Sequence, residues 1–65
     1  MTPPALMAQI DEVARTIVAR HGLVTHRAYA ARVGRARVSL VRRLVGMEPL
    51  ALVVAGQFAQ EAQGA

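Results

Sequence analysis

The stretch that decides the fold is THRAYAARVGRARVSLVRRLVG, residues 25–46. Six of the chain's eight basic residues lie in it, and all eight are arginines. Apolar residues recur at helical spacing on both sides of Gly34, and glycine is the residue that most often punctuates such a pattern. The stretch therefore predicts two short helices. Thr25 is a good N-cap for the first, over about 26–32, which carries Ala28, Tyr29 and Ala31. Gly46 closes the second, over about 35–45.

Two registers of the intervening turn compete. In one, Gly34 is the turn glycine, Ala30 packs four residues earlier, and the second helix begins near Arg37. In the other, the turn is Arg32-Val33-Gly34, Gly34 is the N-cap, and the helix begins at Arg35. At 100° per residue Val38, Val41, Leu44 and Val45 fall on one side, with Arg35, Ser39, Arg42 and Arg43 on the other. The second register turns those polar residues outward. The first would bury Arg43 without a partner, which is expensive.

Working outward, Thr2 can cap a first helix over about 3–20, with Pro3 and Pro4 in its opening turn where a missing amide hydrogen matters least. Leu6, Ile10, Val13, Ile17 and Val18 make its apolar stripe, and Arg20, His21 and Gly22 read as its end. Glu48 and Pro49 open a last helix over about 49–62, whose apolar face is Leu50, Val53, Val54 and Phe58. Residues 50–55 could be a strand by composition, but an isolated strand has nothing to pair with. The expected fold is all-α, a compact single-domain bundle of four short helices containing a helix-turn-helix.

A chain of 65 residues buries a small fraction of its surface, and without cysteine neither disulfides nor thiolate metal sites can reinforce it. Self-association is the remaining route, so a homodimer is expected. Apolar residues make up 54% of the chain but include one Tyr and one Phe. The core must then be built from Ala, Val, Leu and Ile, which suits packed helices.

All eight arginines lie between Arg15 and Arg43, and the four acids, Asp11, Glu12, Glu48 and Glu61, flank that segment. A uniformly positive stretch attracts polyanions, and non-specific phosphate binding follows from charge alone. The start at Met1-Thr2-Pro3-Pro4 lacks the basic region of a signal peptide, and the longest apolar run is far too short for a membrane span. A cytoplasmic, nucleoid-associated chain is expected. His21 and His26 flank a helix end with no Cys and no nearby acid, which argues against a metal site. There are no paired carboxylates, no Ser-His-acid set and no phosphate-cradling glycine loop. No enzyme activity, cofactor or small-molecule substrate is expected, and Tyr29 reads as a packing residue.

Arg35-Ala36-Arg37-Val38-Ser39, followed by Val41, Leu44 and Pro49, resembles the recognition helix and following turn of ParB-type and recombinase-associated helix-turn-helix proteins. The similarity covers about residues 25–54. It implies binding of double-stranded DNA in phage, plasmid or mobile-element biology, with Arg35 and Ser39 facing the DNA. Arginine near the start of such a helix can pair with guanine, whereas those further along hold phosphates. Arg35, Ser39 and Arg43 are the base-reading candidates. Arg27, Arg32, Arg37 and Arg42, with Thr25 and His26 at a helix start, are the phosphate-binding candidates.

The leading expectation is a small dimeric transcriptional regulator on a palindromic site. The alternative is a helical interaction module, an inhibitor or assembly subunit, that docks through Leu50, Val53, Val54 and Phe58. Those four residues would equally serve as the dimer interface. Sequence-independent nucleoid or RNA binding shares the arginine cluster but requires no base readout.

Overall fold

The computed structural model describes residues 1–22 and 25–64, which form three helices: α1 Pro3–Ala19, α2 His26–Leu44 and α3 Ala51–Gly64. Local chemistry accounts for most of their ends. The Thr2 hydroxyl accepts from the Ala5 amide at 3.3 Å, with prolines in the first turn of α1. Thr25 does the same for Ala28 at 3.2 Å at the start of α2. Beyond α1, Gly22 has φ 95°, a left-handed conformation that glycine adopts without strain. After Leu44 the amides of Met47 and Glu48 return to its carbonyl, and the chain turns through Pro49 into α3.

The all-helical expectation holds, but there are three helices and not four. The predicted helices over 26–32 and 35–45 are one, and Arg32, Val33 and Gly34 lie inside it, so neither register of the expected turn is realised. A glycine inside a helix costs about 1 kcal/mol relative to alanine. Ala30, Ala31, Arg32, Arg35, Ala36 and Arg37 around it are strong helix formers, and no proline occurs between Pro4 and Pro49. Packing supplies the rest, because Tyr29, Val33, Ala36 and Leu40 lie along one face of a continuous helix and meet Ala14 and Val18 of α1. Breaking the helix at Gly34 would rotate the first two away from the last two. Burial of a valine is worth about 1.5–3 kcal/mol, which exceeds the glycine penalty.

Continuity also changes which side of α2 faces inward. Val33 and Val41 are buried and Leu40 and Leu44 partly so, whereas Val38 and Val45 are 52% and 42% exposed. The expected face of Val38, Val41, Leu44 and Val45 is thus rotated, because Val33 and Leu40 take the inward positions. On α1 the buried stripe is Leu6, Ile10, Ala14 and Val18, with Val13 exposed. The small Ala14, fully buried, lets α1 and α2 approach closely opposite Val33.

Two clusters make up the core. Where all three helices meet, Leu6, Ile10, Val41, Ala51 and Val54 are buried, with Met7, Leu40, Leu44, Leu50, Ala55 and Phe58 packed around them. Further along, where α1 meets α2, the buried set shrinks to Ala14, Val18 and Val33. The molecule is 17 Å thick in its thinnest direction, short of two helix diameters of about 10–12 Å each, so few side chains can escape solvent. Among the described residues no helix is long and apolar enough to cross a membrane.

Candidate nucleic-acid interface

Helix α2 has 19 residues, about 28 Å at 1.5 Å per residue. Its inward positions are apolar except for one. Arg37 is half-buried, and its Nε donates to Asp11 Oδ1 at 2.8 Å, joined by its Nη2 on the same oxygen. The Phe58 ring of α3 lies 5.0 Å from its guanidinium carbon, a cation–π arrangement. Arg37 therefore ties α2 to α1 and α3, which sets it apart from the other expected phosphate-binding residues.

Asp11 has a second partner, since Arg15 Nε donates to its Oδ2 at 2.8 Å one turn along α1. The hydrogen bond from Arg15, aided by that from Arg37 and by both positive charges, holds the Asp11 carboxyl below the usual carboxylate range against the opposing effect of partial burial. Arg15 is pushed up in turn, chiefly by its bond to Asp11. Among the described residues these are the ion pairs of the molecule. Glu48 faces inward locally, its Oε1 accepting from the Leu50 amide at 3.3 Å.

The remaining arginines form no ion pair with the described acids. Arg32, Arg35, Ser39, Arg42 and Arg43 are all exposed and fall within an arc of about 100° on α2, opposite Val33, Val41 and Leu44. Arg35 and Arg42 lie two turns apart, about 10 Å along the axis. Arg27 and His26 are exposed in the first turn of α2 but off that arc, and Arg20 is exposed at the end of α1. Thr25 uses its hydroxyl oxygen as the helix cap. The structure thus gathers all three base-reading candidates and two of the phosphate-binding candidates on one face, and leaves Thr25, His26 and Arg27 at its end.

Two grooves run between α1 and α2. One of about 500 Å³ is lined by Ile17, Val18, His21, Arg32, Arg35 and Ala36. The other, about 370 Å³, is mainly apolar, with Leu6, Ile10, Val13, Leu40 and Leu44 beside Arg43 and Glu48. In the sequence His21 reads as part of a helix end and Asp11 as one of the flanking acids, and neither is assigned to the interface. The Asp11–Arg15 spacing of one helical turn was a usable signal, but nothing in the sequence joined Asp11 to Arg37 or His21 to Arg32.

Of the four residues expected to form a dimer or partner interface, Val54 is fully buried in the chain's own core, and Leu50 and Phe58 are packed against that core. Val53 alone is substantially exposed, at 47%, and its outward neighbour Leu52 is at 64%. Among the described residues there is no cluster of three or more potential metal ligands. Compared with family models, curated proteins and solved structures, the chain has no significant match.

Proposed function

We propose that the chain binds double-stranded nucleic acid, DNA foremost, through the outer face of α2. The observation that carries this reading is the division of the arginines. The one facing the core, Arg37, is matched to Asp11, while Arg32, Arg35, Arg42 and Arg43 stand together on the outer face without an acidic partner. Surface charges kept for solubility are usually of mixed sign, and a one-sign row on a rigid helix suits a regularly charged polymer. An α-helix fits the major groove of B-form DNA, which favours DNA over RNA, whose major groove is deep and narrow.

With α2 continuous, the helix pair available to act as a helix-turn-helix is α1 and α2, joined by residues 20–25, with α2 as the recognition helix. Its test is fluorescence anisotropy of a labelled random duplex across a salt series. The logarithm of affinity is expected to fall linearly with the logarithm of salt, with a slope of about −3 to −4 for four phosphate contacts. No binding at about 50 mM salt would sink the reading.

A second reading has its own observation. Leu52 and Val53 make an uncharged, exposed apolar start to α3, the kind of surface that docks on another protein. A second copy of the chain there would give the dimer that regulation at a palindromic site requires. Sedimentation of the wild type against Leu52→Ser with Val53→Ser measures it, with loss of dimer in the variant as the expected result.

A further inference from the structure

We infer that the groove between the end of α1 and the middle of α2 is a seat for one phosphate group, held by His21, Arg32 and Arg35. Arg35 then acts on a phosphate and not on a base edge. That the phosphate belongs to a duplex backbone rests on the function proposed above; the seat itself does not.

The argument starts from an unfavourable arrangement. Arg32 and Arg35 are one helical turn apart and line the same groove, and like charges at that spacing repel in the absence of a counter-charge. No acid lines the groove, and neither arginine has an ion-pair partner among the described residues. The cation that could have been silenced, Arg37, was; these two were left facing an opening of about 500 Å³. The groove is completed by Ile17, Val18 and Ala36. His21 adds an imidazole from the turn that follows α1. Two guanidinium groups of α2 and an imidazole beyond the end of α1 line this one groove, and together they can supply the several charge-assisted hydrogen bonds that the oxygens of a phosphate accept at once.

The placement also explains why Arg35 differs from Arg42 although both point outward. Arg42 does not line this groove, whereas Arg35 does. A duplex anchored in the seat would run across the end of α1 as well as along α2.

The test titrates inorganic phosphate into the isotope-labelled chain at constant ionic strength, following amide chemical shifts. Saturable changes are expected at residues 17–21 and 32–36. Arg32→Gln and Arg35→Gln should each weaken phosphate about tenfold, as expected for a charge-assisted hydrogen bond, while Arg42→Gln should leave it unchanged. All three residues are exposed, so none of the variants removes a core contact. Changes shared equally by Arg20, Arg42 and Arg43, or insensitive to Arg32→Gln, overturn the seat. In a second arm Arg35→Gln is expected to weaken all duplexes alike and to lower the salt slope by about 1; a changed sequence preference would instead assign Arg35 to a base and overturn the inference. Saturation by phosphate without any duplex binding supports the seat, assigns it to a free phosphate or phosphomonoester, and rejects the duplex reading. Duplex binding with a diffuse phosphate response does the reverse.

Discussion

The two ends of the helical bundle are built differently. Where α3 closes over α1 and α2, five buried residues form a core ringed by six more, and the one inward arginine is matched to Asp11. Where α1 and α2 pair further along, the buried set is Ala14, Val18 and Val33, and Arg32 and Arg35 stand open to solvent. The contrast teaches that stability and charge are separated around one helix. The inner face of α2 anchors the fold, most heavily in its C-terminal half, and its outer face presents unmatched arginines at both of these ends. A thin core tolerates this because exposed guanidinium groups keep their hydration.

The largest effect that tests this contrast comes from the cores themselves. Ile10→Ala, in the three-helix cluster, should cost about 2–5 kcal/mol and leave little folded protein in so small a domain. Val33→Ala, in the thinner cluster, should cost about 1–2 kcal/mol. Urea unfolding followed by circular dichroism measures both, and an equal or reversed ranking would break the distinction between the two ends.

A smaller effect probes the continuity of α2. Gly34 lies in mid-helix without a positive φ, and a Cβ added there would meet no heavy atom within 4 Å. Gly34→Ala should therefore raise stability by about 0.5–1 kcal/mol. A helix-turn-helix bent at that glycine would be destabilised by the same change. Gly22→Ala is the internal control, expected to destabilise because of its left-handed backbone.

The smallest effect concerns the matched arginine, whose ion pair is partly exposed and so modest. The Asp11 pKa is lower in the folded chain than in the unfolded one. Its contribution is then present above the unfolded value and is lost as pH falls through the folded value. Wild type should lose melting temperature between about pH 5 and 2 more steeply than Asp11→Asn. Parallel curves would show that Asp11 does not couple the helices.

Much of this architecture was legible in local sequence chemistry. Thr2 and Thr25 cap the helices they were expected to cap, and α1 and α3 lie within two residues of the expected bounds. Helix boundaries are uncertain at that level in any case. The exposed row of Arg35, Ser39, Arg42 and Arg43 was also legible, because helical phase depends on spacing alone. Both halves of α2 carry helical spacing in the sequence, whereas their junction at Gly34 has the local signature of a turn and is helical in the fold.

What the sequence determined by itself was helical class, caps, the stop at Gly22 and the segregation of arginine, all of which depend on residues within one or two turns of each other. Tertiary structure alone decided three things: that α2 continues through Gly34, that Val33 and Leu40 face inward in place of Val38 and Val45, and that Arg37 is silenced while Arg35 is not. Each depends on α1 or α3, which pack on α2 across long sequence separations; Asp11 and Arg37 are 26 residues apart. A local penalty of about 1 kcal/mol at a glycine is readable in the sequence, but the contact that outweighs it is created only when the helices meet.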